Sequence, residues 1–88
     1  MWEIFYDDDA KKQLQKLDRK VQSDILRYMR ERIATELDPR RFGKALHSEL
    51  KGLWRYRVHD YRIICKIEDS KLIVLVVSID HRKDIYKS

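Results

Sequence analysis

The hydrophobic period of this chain changes in its middle, and that change limits the available folds more than any other feature. Ahead of Pro39 the apolar residues Ala10, Leu14 and Leu17, then Val21, Ile25, Met29 and Ile33, recur at helical spacing, with Leu26 and Tyr28 widening the stripe. From Leu53 onward the period is two: Trp54, Tyr56 and Val58 alternate with Arg55, Arg57 and His59. A helical half and a strand half within 88 residues leave room for one core, so residues 1–88 read as a single domain.

The helical half reads as two helices, or one bent near Leu17-Asp18. Before it, Trp2, Ile4 and Tyr6 alternate with Glu3 and Phe5 as an opening strand, and Asp7-Asp8-Asp9 supplies helix caps and favourable charge for a helix start. Asp38-Pro39 is a cap followed by proline at a first helical position, predicting a short turn over Pro39 to Phe42 that Gly43 breaks.

In the strand half, a two-residue loop at His59-Asp60 pairs Val58 with Tyr61 and Arg57 with Arg62, because directly opposed residues share a face. The apolar face then continues as Tyr61, Ile63, Cys65 and Ile67. Glu68-Asp69-Ser70-Lys71 makes the next turn, and Leu72 to Ile79 is apolar on both faces, as a central strand requires. The expected fold is α+β: an N-terminal strand and two helices packed on a mainly antiparallel sheet that ends in a three-stranded meander.

Twenty Lys and Arg against fifteen Asp and Glu give a formal charge of +5, which favours polyanionic partners such as nucleic acid or an acidic protein segment. The single cysteine, Cys65, provides no disulfide framework, and a reducing cytoplasm is the expected compartment. The stretch from Met1 to Asp9 fits neither a signal peptide nor a lipidation motif, and Leu72 to Val77 is too short to cross a bilayer, which takes about 20 residues. No membrane partner is expected. Three scattered histidines offer no metal-ligand spacing, and Gly43 and Gly52 stand alone, so neither a metal nor a phosphate loop nor any other cofactor is expected.

The hairpin register brings Arg55, Arg57 and Arg62 to one face of the sheet, opposite the Trp54-Tyr56-Val58 face. Three guanidiniums so close repel one another unless an anion lies among them, and arginine is the side chain best shaped for bidentate phosphate contacts. The plainer alternative is a solvated strand face. The tail Asp80-His81-Arg82-Lys83-Asp84-Ile85-Tyr86 adds a possible proton-transfer group, two cations and a phenol that could lie at the edge of that face.

Leu50-Lys51-Gly52, then Trp54-Arg55-Tyr56-Arg57, Asp60-Tyr61-Arg62-Ile63, an apolar strand and His81-Arg82-Lys83-Asp84-Ile85-Tyr86 together resemble the RelE/ParE toxin superfamily over essentially the whole chain. The resemblance implies the toxin of a type II toxin–antitoxin system, a ribosome-dependent endoribonuclease in which the RNA's own 2′-hydroxyl is the nucleophile. Its implied partners are a RelB-like antitoxin with an acidic segment, the ribosome and messenger RNA. The basic residues of the first meander strand match Arg55 and Arg57, the phosphate-stabilising arginine matches Arg62, and the C-terminal pair matches Arg82 and Tyr86. Lys44, Lys51 and Lys83 are assigned to RNA contact.

One departure matters for the chemistry. RelE toxins carry lysines where this chain has Arg55 and Arg57, and arginine, with a pKa above about 12, is a poor proton acceptor. His81 is therefore a candidate for proton transfer, as is Tyr86 if the surrounding arginines lower its pKa. His59 reads as a surface turn residue, His47 as a loop residue, and Cys65 and Trp54 as core. The alternative to the nuclease is the ParE-like branch, which poisons DNA gyrase by binding.

Overall fold

The computed structural model describes residues 1–81, which form a five-stranded sheet with a helical layer on one face. β1 (Glu3–Tyr6) is followed by α1 (Asp8–Gln15), α2 (Arg19–Tyr28) and a π-helical turn over Met29–Ile33. The strands β2 (Lys44–Ala45), β3 (Trp54–Val58), β4 (Tyr61–Glu68) and β5 (Ile73–His81) complete the sheet. Its order is β1-β5-β4-β3-β2, with β1 parallel to β5 and every other pairing antiparallel. The α+β class and the closing meander are as the sequence predicts. β2 lies beyond that reading, because two residues are too few to show a period.

Asp7 caps α1, its Oδ1 accepting from the Ala10 amide at 2.8 Å, and Asp8 and Asp9 add negative charge to the first turn. The helical half divides into two helices rather than one bent one. At the break the Gln22 side-chain amide donates to the Leu17 carbonyl at 2.7 Å and to the Gln15 carbonyl, at the end of α1, at 3.4 Å.

Four-residue steps from Val21 to Ile33 drift around a 3.6-residue helix. The wider π turn corrects the drift: the Ala34 amide donates to the Met29 carbonyl at 2.9 Å, and Met29 and Ile33 are both fully buried. These two residues, with Ala10, Leu14 and Ile25, pack on the covered face of the sheet with Tyr56, Ile63, Cys65, Val74, Val76 and Ile79. Burial pushes the Cys65 thiol well above its ordinary pKa, which leaves it a core residue rather than a nucleophile. Leu26, counted in the stripe, is 39% exposed at the rim.

The predicted turn at Asp38-Pro39 is a 3-10 helix over Pro39–Arg41, capped by Asp38 accepting from the Arg40 amide at 2.9 Å. It is held to the sheet from below. The buried Tyr56 hydroxyl donates to the Pro39 carbonyl at 2.7 Å, and Trp54 Nε1 donates to the Phe42 carbonyl at 2.7 Å. Gly43 then passes hard against β3 with φ +79°; a Cβ there would overlap the Arg55 carbonyl oxygen and lie 2.8 Å from Trp54 Nε1. That close approach delivers Lys44 to the sheet.

β5 changes phase partway along. Ile64 faces Ser78 but Cys65 faces Val76, so Val77 is an extra residue that forms a bulge. Before it Val74 and Val76 point to the helices; after it Ile79 and His81 do, and Ser78 and Asp80 come out on the open face.

Candidate nucleic-acid interface

The two-residue turn at His59-Asp60 pairs Val58 with Tyr61 and Arg57 with Arg62, as the sequence predicts. Arg55 faces Ile64 two positions back along β3, and Lys44 faces Arg55 from β2. Residues directly opposed in an antiparallel sheet share a face with Cα atoms about 4.5–5.5 Å apart, so Lys44, Arg55, Arg57 and Arg62 form one cationic patch. It lies on the face that carries no helix among the described residues. Asp80 faces Arg62 from β5 on the same side, yet among the described residues its carboxylate is hydrogen-bonded by the Ser78 hydroxyl and makes no ion pair with Arg62.

The arginines do not all stand out in solvent. Arg57 and Lys44 are exposed, whereas Arg55 and Arg62 are half-buried, on either side of Ile64, which is only 5% exposed. The Nε atoms of Arg55 and Arg62 are buried and have no hydrogen-bond partner among the described residues. A buried donor left unpaired costs roughly 1–3 kcal/mol, and more when charged. An oxyanion between these two forks would satisfy both and offset the repulsion among the three guanidiniums.

The other residues singled out in the sequence fall in different places. Lys51 is exposed in the loop joining β2 to β3, at the end of the hairpin away from the His59-Asp60 turn. Arg82, Lys83 and Tyr86 lie outside the described residues. His81 is separated from the arginines. It pairs with Tyr61, their rings meet edge to face at 5.0 Å, and both border a cleft of about 260 Å³ with Gln13, Lys16 and Leu17 of the helical layer. An edge position beside the arginine face, as the tail suggests, is therefore corrected to the opposite face. The cause is the Val77 bulge: unbroken alternation from Val74 and Val76 would have turned His81 outward.

Ser78 and Asp80 are the site neighbours that the sequence reading lacks. Their polar character at i and i+2, inside an otherwise apolar strand, is the signal that could have located them. Among the described residues no three His, Cys, Asp or Glu side chains converge as metal ligands would. No helix there is long and apolar enough to cross a membrane.

A mainly antiparallel sheet with helices on one face and arginines on the other, in this element order, is the architecture of a small toxin of the RelE/ParE superfamily. The chain belongs to the family described as the ParE toxin of the type II toxin–antitoxin system parDE, whose model matches residues 4–86. It is 32% identical over 78 residues to Toxin RelG of Mycobacterium tuberculosis, covering 89% of this chain and 87% of that protein. Toxin RelE of the same organism is 30% identical over 78 residues, covering 89% and 78%. Among solved structures, a RelBE toxin–antitoxin complex from M. tuberculosis superposes with a TM-score of 0.83 at 26% identity, covering 92% of this chain and 91% of that one. The isolated E. coli RelE toxin shares the fold, with a TM-score of 0.72 at 19% identity over 99% of this chain and 93% of that one.

Proposed function

We propose that this toxin is a ribosome-dependent endoribonuclease that cleaves messenger RNA by metal-independent attack of the RNA's own 2′-hydroxyl. The observation that carries the reading is the pair of buried, unpartnered Nε donors on Arg55 and Arg62 beside Arg57. In the reaction the 2′-oxygen loses its proton and bonds to phosphorus, the P–O5′ bond breaks, and the leaving oxygen takes up a proton. The products are a 2′,3′-cyclic phosphate and a 5′-hydroxyl. Negative charge grows on the non-bridging oxygens in the transition state, where preorganised guanidinium donors act most strongly. Arg62 and Arg55 hold that charge, and Arg57, Lys44, Lys51 and Lys83 add to the field that draws the strand in. With His81 turned to the other face, the proton-transfer role falls to Tyr86, with Arg82 completing the cationic site. Tyr86→Phe tests that assignment by keeping the ring and removing the hydroxyl.

The proposed partner in the resting cell is a RelB-like antitoxin whose acidic segment covers the arginine face. Similar toxins are solved in RelB–RelE complexes, and the charge of +5 suits such a segment. Brief expression of the toxin alone, followed by primer extension on a translated message, tests the enzyme reading. New 5′ ends within ribosome-bound codons, present also when EDTA is added to ribosomes kept intact by other means, are expected. Intact message in growth-arrested cells would reject it.

The family description as a ParE toxin favours a second reading, a gyrase poison that acts by binding. It predicts gyrase-dependent DNA breaks with no new RNA ends in the same cells.

A further inference from the structure

The turn that carries the arginine hairpin holds its first residue at positive φ. His59 sits at φ 56°, in the left-handed region that glycine occupies freely and other L-residues enter at a cost of roughly 1–2 kcal/mol. Backbone strain of this kind persists where the surrounding structure over-determines the conformation. Here the His59 side chain reaches across to the helical layer. His59 Nε2 lies 2.7 Å from Asp24 Oδ2 in the middle of α2, thirty-five residues away in sequence. The Asp24 side chain is only 15% exposed; Arg27 donates to its other oxygen at 2.8 Å, and Lys20 stands 4.0 Å off. The His59 contact, with these cations behind it, holds the Asp24 carboxyl below the usual carboxylate range, so it is ionised at neutral pH. A carboxylate fixed on a helix thus meets the tip of a hairpin whose first two cross-strand pairs are Val58 with Tyr61 and Arg57 with Arg62.

We propose that Asp24 and His59 form a strut that sets the position of Arg57 and Arg62, making both positioning residues for the RNA site although neither faces it. The proposal rests on the open face being that site. The strut joins the helical layer to the turn between β3 and β4, and the arginine pair is the second residue from that turn on each strand. A shift of the tip by a fraction of an ångström moves both forks together. Such a shift slows a step that depends on alignment much more than it weakens a phosphate contact that many cations share.

The test compares His59→Gly, Asp24→Ala, Asp24→Asn and the double variant His59→Gly/Asp24→Ala in the full-length toxin. Single-turnover cleavage of ribosome-bound message, affinity for a short single-stranded RNA, thermal midpoint and amide exchange at Val58, Tyr61 and Arg62 are measured for each. His59→Gly removes the backbone strain, so its midpoint should equal or exceed the parent's. Its cleavage rate should nevertheless fall about ten- to a hundredfold, its RNA affinity by less than about threefold, and exchange at the hairpin tip should quicken. The double variant should be no slower than the slower single one, since both break one contact. Parent-like cleavage by His59→Gly, or losses that add in the double variant, would overturn the strut. If the parent itself cleaves nothing, the nuclease reading fails, and the exchange arm alone then decides whether the strut holds the hairpin tip.

Discussion

β3 and β4 present polar atoms on both faces of one sheet, and the fold handles the two sets in opposite ways. On the helix-covered face Tyr56 and Trp54 each spend their single donor on a backbone carbonyl at 2.7 Å, so that burial leaves no group unpaired. On the open face the Nε donors of Arg55 and Arg62 are as well shielded from water yet have no partner among the described residues. Local geometry cannot explain the contrast, because Tyr56 lies between Arg55 and Arg57 on the same strand. Donors that bind the structure together are satisfied within it. Donors left unsatisfied in a like-charged cluster cost stability, and their arrangement has its use in contact with another molecule.

The sharpest way to break that comparison is Arg62→Ala. Removing one preorganised donor from a site of this kind typically lowers the rate by about 100- to 1000-fold. Stability should stay equal or rise by up to about 1–3 kcal/mol, because an unpaired buried donor is removed and no internal hydrogen bond or ion pair of the described residues is lost. Single-turnover cleavage alongside urea denaturation reads both quantities. A variant that unfolds early, or one that cleaves within a few-fold of the parent, would make the two faces alike.

Tyr56→Phe is the mirror experiment on the covered face. It leaves the buried Pro39 carbonyl without its donor, and stability should fall by about 1–3 kcal/mol. Cleavage measured well below the melting temperature should stay near the parent's, since the ring that packs beneath the arginine strand is kept.

The smallest expected effect is at the rim, where Arg40 makes two hydrogen bonds to Asp69, at 2.9 and 2.8 Å. The guanidinium holds the Asp69 carboxyl below the usual carboxylate range. The folded-state pKa is thus depressed below the unfolded value of about 3.9, so this contribution is complete above that value and disappears as pH falls through the folded one. Asp69→Asn should therefore lose a little stability at neutral pH and show a flatter decline in melting temperature below about pH 4. An unchanged acid slope would show that the exposed pair adds nothing.

Much of the arginine face was legible in advance because it follows from one turn. Once His59-Asp60 is the loop, period two alone places Arg55, Arg57 and Arg62 together, and the observed register agrees residue for residue. Lys44 shares the face through a strand too short to read, and it is the absence of a side chain at Gly43, a tertiary matter, that lets that strand lie against β3. The placement of His81 was not legible. Leu72 to Ile79 is apolar on both faces, so no alternation marks the site of an extra residue, and a bulge leaves no trace in hydrophobicity. The His59–Asp24 contact was hidden for another reason: it joins residues thirty-five apart whose spacing obeys no local period.

The bulge at Val77 makes β5 two half-strands joined out of phase, which frees each half from the other's constraints. The first half is the inner neighbour of β1 and must stay apolar; the second carries Ser78 and Asp80 out toward the arginines. Pairing Val77 into an unbroken ladder there would exchange the cargo of the two faces at the far end of the strand. It would bring an imidazole out beside the guanidiniums and drive a carboxylate in among the helices. The chemistry available to this surface is thus set by one residue being left out of the ladder.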